Sequence, residues 1–487
     1  MTGQEAVAAS EPPALSLRAV TISIVGLITI IAFETMAVST AMPAVGADLH
    51  AGAAYGLVFS LMFTGQLLGI VLAGAWAQER GPLPPLIAGM ALFAAGSTVS
   101  GVAGAFAVLL AGRLIAGVGA GLTVVSVYVL IGAVYPIASR PRVFGWVSAA
   151  WVVPSVAGPV VAAALTQALG WRAVFLIVVP LTLLAIPALG RVRLMLARSG
   201  AAEYAPDAED GPAVAAMPAR RLIGWGALIA LSAALFQGAT SLRDMPSAAA
   251  VALAVLGLAG LAWAVPQVMP PGTLRMRRGQ PSVMLSRFLL MGAFEGVVAF
   301  APLMLHDRRG LSLMGTGALL AVASLGWAGG SFVQSRPAFA EKGARLVLAG
   351  ALLLAAAILS VLGLDLATAP LGWFAPSLAA LGLAMGIAVT STSVLALRLA
   401  PPGGHAAASA SLQMADVLGS VLGISVAGAA FAAATGSADP GPSSFLGVWL
   451  GALLFAGVCI RSARRVPIAR ATGADAARPG GAAIVSE

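Results

Sequence analysis

Residues 117–126 read GVGAGLTVVS, and residues 382–391 read GLAMGIAVTS. In both, two glycines stand four apart, the spacing that lets helix backbones approach closely inside a bilayer. The stretches lie 265 positions apart, and so do PSVAG at 154–158 and GSVLG at 419–423. A shared offset indicates an internal duplication. AFETMAV at 32–38 and AFEGVVA at 293–299 extend it, and each sets one glutamate inside an apolar run. GAWAQER at 74–80 and GSFVQSR at 330–336 share Gly, Gln and Arg at one spacing, and we align them as a further pair.

Of the 487 residues, 60% are hydrophobic and only 9% charged. Soluble domains carry about 25% charged residues. The apolar runs do not alternate and are long enough to cross a bilayer as helices, which satisfy their own backbone groups. The expected fold is an all-α polytopic membrane protein of fourteen spans. Two six-helix halves, 19–190 and 283–462, form a parallel repeat, with an inserted two-helix hairpin at 222–268 broken by SLRDMP at 241–246. Residues 1–18 and 463–487 read as tails and 191–221 as a polar linker. The first 18 residues, polar and acidic, do not read as a cleavable signal peptide. With the N-terminus cytoplasmic, 22 Lys and Arg fall on the inner side and 4 on the outer, with Arg287 counted among the inner ones. That bias obeys the positive-inside rule and puts both termini in the cytoplasm. The net charge of +9 therefore speaks of orientation and not of nucleic acid.

One cysteine, Cys459, excludes an intrachain disulfide, and the three histidines are far apart, so no metal site is expected. The single lysine, Lys342, stands between Glu341 and Gly343, which leaves no Gly-Lys-Ser/Thr phosphate loop. No cofactor is expected beyond a proton gradient, and no enzymatic cluster stands out.

At this point the chain resembles the major facilitator superfamily, in its fourteen-helix drug:proton antiporter branch. Glu34 with Pro43, and Arg113 with Gly117 and Gly119, match its first-helix and fourth-helix motifs. Gly145, Pro154, Gly158 and Pro159 match the glycine-rich antiporter motif of the fifth helix, although Pro154 stands where glycine is usual. GWRAVFLIVVP at 170–180 fits the sixth helix. The loop after the second helix departs from the pattern: Gly74 and Arg80 are present, but Gln78 holds the acid position and PLPP replaces the basic cluster. The resemblance implies conformational roles for these residues and for Gly121. The bland reading of the glycines is close helix packing, which carries no substrate information.

Mid-span acids are costly, about 2.5–3.5 kcal/mol each, and usually face a cavity or a partner. Glu34, Glu295 and Asp416 are such acids, and Arg113 reads as the only mid-span base. Counted from the span ends, Glu34 and Arg113 lie at depths of roughly 14 and 11 Å. They form a structural ion pair or a proton site. Glu295 has no counterpart of Arg113, because Leu378 stands there. We assign proton coupling to Glu34, Arg113, Glu295 and Asp416, and the substrate cavity to Phe33, Phe63, Phe294 and Gln413. Phe33, Phe63, Phe294 and Trp327 read equally as lipid-facing or core residues.

The expected function is proton-driven export of lipophilic, cationic or neutral small molecules by a monomer in the plasma membrane. Its partners are the lipid bilayer, protons and the small lipophilic substrate. The alternatives are a proton-coupled symporter of a small metabolite, which would need more convergent polar groups, and a non-transporting scaffold, which would not need repeated acids.

Overall fold

A computed structural model describes residues 14–135, 139–185, 219–241, 247–339, 341–400, 405–434 and 443–466. The first set of helices is α1 (Ala14–Asp48), α2 (Leu57–Arg80), α3 (Leu83–Gly101), α4 (Phe106–Val134), α5 (Arg140–Leu169), α6 (Arg172–Leu176) and α7 (Val178–Leu184). A hairpin follows, α8 (Ala219–Ser241) and α9 (Ser247–Val268). The second set is α10 (Gln280–Leu303), α11 (Leu313–Gln334), α12 (Gly343–Leu366), α13 (Phe374–Arg398), α14 (His405–Ala434) and α15 (Ser443–Ala463). Gly81 and Gly170, at φ 75° and 85°, end α2 and α5 in a backbone conformation that glycine adopts without a steric penalty.

Among the described residues, twelve helical segments are long and apolar enough to cross a bilayer. The expected fourteen are not reached among them: Arg172–Leu184 and Ile223–Ala239, the latter within the 23-residue α8, are shorter apolar stretches. α1 begins within the expected N-terminal tail. SLRDMP beyond Ser241, nearly all of the 191–221 linker and most of the C-terminal tail lie outside the described residues.

Packing repeats between the two sets. α2 and α3 pack on α4, and α1 packs on α5; α11 and α12 pack on α13, and α10 packs on α14. The glycines fix the register. A Cβ on Gly117 would lie 2.1 Å from the Met62 carbonyl oxygen, and one on Gly382 would lie 1.8 Å from that of Ala323. Gly121 and Gly386 meet the carbonyls of Gln66 and Trp327 in the same way, at 2.2 and 2.1 Å. From the facing helices, Gly65 and Gly69 approach α4 as Gly326 and Gly330 approach α13. Gly330 is therefore the counterpart of Gly69, and the alignment of GAWAQER with GSFVQSR is five residues out of register. Packing of glycine against a carbonyl decides the register, and Gly74, with open space around it, takes no part.

Gly117→Ala and Gly382→Ala are expected to lower the melting temperature in detergent by several degrees, since overpacking costs about 1–3 kcal/mol. Gly74→Ala and Gly145→Ala, which meet nothing within 4 Å, should leave it unchanged. Equal melting shifts in all four variants would refute this packing account.

The end of the molecule where α1 begins and α15 ends is called the terminal face. Toward the opposite face the two sets share one apolar cluster, in which Val38, Val45, Tyr55 and Phe59 join Val297, Phe300 and Phe431. The Tyr55 and Phe300 rings stand 5.6 Å apart there. Toward the terminal face each set keeps a cluster of its own, around Val20, Ile24 and Val143 in the first and Val283, Val347 and Ala463 in the second. The hairpin stands outside the repeat and spans the seam along one flank. Its Ile229, Ala233 and Leu261 pack with Leu67 and Val71 of α2 and with Met414 and Leu418 of α14. Gln237 Nε2 on α8 donates to Thr64 Oγ1 on α2 at 3.1 Å.

Candidate functional site

The first set buries one charge pair. Glu34 from α1 and Arg113 from α4 form an ion pair, at 0% and 2% exposure. Arg113 also donates from Nε to the Val58 carbonyl of α2 at 3.2 Å and lies 5.9 Å from the Phe175 ring centroid. The second carboxylate oxygen of Glu34, Oε2, is buried with no hydrogen-bond partner among the described residues. The matching depths in the sequence thus mark a real contact.

The equivalent position in the second set differs. Glu295 lies on α10 in the register that puts Glu34 on α1, but Leu378 stands where Arg113 would, buried in the apolar cluster. Glu295 is partly exposed and makes no hydrogen bond or ion pair with the described residues. The charge acting on it is that of Asp416.

Asp416 is itself held. Arg287 grips it with a two-point fork, Nε to Oδ1 and Nη2 to Oδ2, the latter at 2.8 Å. Its Nη1 donates to the Val389 carbonyl at 2.6 Å, Thr392 Oγ1 at 3.2 Å and Ser393 Oγ at 3.1 Å. This corrects two readings from the sequence: Arg287 belongs to no loop, and Arg113 is not the only mid-span base. Arg287 sits two turns into α10 and ties it to α13 and α14. Asp416 is therefore a satisfied ion-pair partner at the edge of the site. Arg287→Ala should destabilise the protein by about 3–5 kcal/mol, the cost of leaving a buried charge alone. Arg287→Lys should recover little of this, because an ammonium cannot reproduce the planar fork. Thermal melting in detergent checks both, and full rescue by lysine would sink the argument.

The substrate-cavity candidates are divided between the sets. Phe33 and Phe63 are partly exposed on α1 and α2. Phe294 is buried, edge-on to Trp327 at 5.1 Å between centroids. Gln413 Nε2 donates to Tyr128 OH at 3.4 Å, a polar contact between α14 and α4 that joins the two sets beside Asp416. Tyr128 and Arg287 are absent from the sequence-based selection. The signal for Arg287 was its place four residues inside the expected span.

The conformational candidates separate by what they touch. Gly117 and Gly121 face α2, whereas Gly119 faces α3, with an added Cβ 2.3 Å from the Phe93 nitrogen. Pro154 and Pro159 lie inside α5. Gly158 meets Met36 of α1 at 3.4 Å, and the Pro159 carbonyl oxygen lies 2.6 Å from a Cβ built on Gly317 of α11. Arg80 is exposed, and the side chain of Gln78 lies outside the described ones. Two Trp–Asp–Arg ties at the opposite face were not foreseen. Asp48 accepts from Trp171 Nε1 at 3.0 Å and Arg172 at 3.1 Å, and Asp365 accepts from Trp449 Nε1 at 3.0 Å and Arg308 at 2.6 Å.

Comparison with known proteins places this geometry. The "Multidrug efflux pump SdrM" of Staphylococcus aureus (strain N315) is 27% identical over 168 residues, 34% of this chain and 38% of that protein. The "Acurin A biosynthesis cluster MFS-type transporter" of Aspergillus aculeatus is 31% identical over 187 residues, 37% of this chain and 34% of that protein. The chain thus spans little more than a third of the length of either relative. Among solved structures, the D-xylose-proton symporter aligns with a TM-score of 0.60 at 15% identity, over 93% of this chain and 98% of that one. The human organic anion transporter MFSD10 (TETRAN) aligns with a TM-score of 0.56 at 17% identity, over 92% and 100%. At these identities the likeness is one of fold. The Major Facilitator Superfamily matches residues 24–424, from α1 into α14, and the chain belongs to that family.

Proposed function

We propose that the protein is a proton-driven antiporter that exports lipophilic, cationic or neutral small molecules. In this reading it belongs to the fourteen-helix branch, with α6–α7 and α8 crossing as well, and lies in the plasma membrane with both termini cytoplasmic. One observation carries the reading. The two glutamates stand at equivalent positions, yet one is locked to an arginine and the other has no partner among the described residues. The locked acid suits coupling. A proton on Glu34 removes one member of the pair and leaves Arg113 on the Val58 carbonyl and the Phe175 ring, so the tie between α1 and α4 loosens. The unpaired acid suits recognition of a positive charge, and its chain neighbour Phe294 packs edge-on against Trp327. The efflux pump among the relatives supports the direction of transport.

A proton entering across 100 mV yields about 2.3 kcal/mol, enough for a roughly 50-fold gradient of a neutral substrate. The test uses purified protein in liposomes carrying an internal pH dye. Adding a lipophilic cation should release protons from the lumen in proportion to the cation taken up. Substrate movement with no proton counterflow would overturn the antiport reading.

A further inference from the structure

The arginines of the terminal face are unevenly placed. In the first set, Arg18, Arg80 and Arg142 are exposed and scattered over separate helix ends. In the second set, six exposed arginines gather at one corner: Arg275, Arg277 and Arg278 in the turn before α10, and Arg461, Arg464 and Arg465 at the end of α15. A positive-inside bias accounts for the sign of the charge but not for this clustering, since orientation counts charges over whole loops.

The corner is built. Ser282 and Ser286 of α10 bond to Ser462 of α15, with Ser286 Oγ to Ser462 Oγ at 3.0 Å and Ser462 Oγ to the Ser282 carbonyl at 3.1 Å. Arg465 Nη1 donates to the Met276 carbonyl at 3.3 Å, which brings the two arginine groups side by side. The turn is compact: the nitrogens of Arg275 and Arg277 both bond the Gly272 carbonyl, at 3.1 and 3.2 Å. Met276 has φ 51°, a left-handed conformation that a bulky residue rarely adopts. Its side chain packs against the apolar core, so its neighbours Arg275 and Arg277 are turned outward. Leu274 in the same turn and Trp263 on α9 of the hairpin are exposed at 51% and 62%. No acid lies in either segment, 269–290 or 455–466. Six guanidiniums that form no ion pair among the described residues, with an exposed Trp and Leu at the end of spanning helices, match the headgroup level of a bilayer.

We propose that this corner is a binding site for anionic phospholipid, with the arginine forks on the headgroup phosphates and Leu274 and Trp263 among the upper acyl chains. Arginine suits the task because its planar fork meets phosphate oxygens two at a time. Each basic residue near an anionic surface strengthens binding about fivefold.

The test reconstitutes the full-length protein in nanodiscs containing phosphatidylcholine with a titrated fraction of phosphatidylglycerol. Lipids retained on extraction are counted by native mass spectrometry. The wild type should retain phosphatidylglycerol over phosphatidylcholine, with a preference that shrinks as salt is raised. The triple variant Arg275→Gln, Arg277→Gln, Arg278→Gln should lose at least tenfold of that preference. Arg336→Gln, Arg345→Gln, Arg398→Gln removes as much charge from the same face away from the corner and should keep it. Equal loss in the control triple, or no preference in the wild type, overturns the site. If the first triple fails to assemble, the wild-type salt titration alone decides: a preference indifferent to salt refutes phosphate recognition. Free glycerol phosphate that displaces the retained lipid at micromolar concentration would point to a soluble anion instead, and would also overturn the proposal.

Discussion

Glu34→Gln is expected to abolish proton-driven efflux of a cationic and a neutral dye alike, at matched protein levels in vesicles. The carboxylate is the negative member of a pair at 0% and 2% exposure. Glutamine keeps the shape and can neither bind nor release a proton, so any cycle that passes through Glu34 stops for every substrate. The same change leaves Arg113 charged and uncompensated, which costs about 3–5 kcal/mol of stability. A loss of folding and a loss of coupling must therefore be told apart. The double variant Glu34→Gln, Arg113→Gln removes both charges and should recover most of the melting temperature while efflux stays absent. Efflux that returns with stability in the double variant would reduce the pair to a structural tie.

Glu295→Gln is expected to divide the substrates. Export of a permanently charged cation should fall at least tenfold, while a neutral dye of similar size should be exported nearly as before. Glu295 has no partner among the described residues and lies in a partly exposed position, so its charge is available to a ligand. At an effective dielectric of about 20, a cation 4 Å from a carboxylate gains about 4 kcal/mol before desolvation is subtracted. Stability should change little, because no ion pair is broken. Equal loss of both dyes would assign Glu295 to coupling and end the division of labour between the two acids.

The helices were legible because lipid allows a chain of this composition few alternatives, and the repeat was legible because glycine contacts leave a fixed spacing. Glu34 and Arg113 could be matched because an acid and a base deep in apolar runs must meet or pay for solitude. Arg287 escaped because an arginine near a span end is counted as a loop charge, although two turns inside α10 are enough to bury it. Its partner Asp416 was found, but not what satisfies it. Tyr128 escaped because a tyrosine hydroxyl in an apolar run looks like any aromatic core residue until the facing helix is known. The span count differs at α6–α7 and α8, where the described apolar stretches are shorter than the runs read from hydropathy.

The register between the two sets has one further consequence. Helix contacts place α2 and α3 261 positions before α11 and α12, but α4 265 positions before α13. The offset steps by four residues in a single place, the connection between the third and fourth helices of each set. That connection is brief after α3 and longer after α12, where it carries a 3-10 turn at Leu371–Trp373. A duplicated ancestral segment that later gained four residues in one copy would leave this record. The addition was tolerated in a loop, where it shifts nothing. Inside any helix it would have moved each later glycine about 6 Å along the axis, one turn past the carbonyl that it meets.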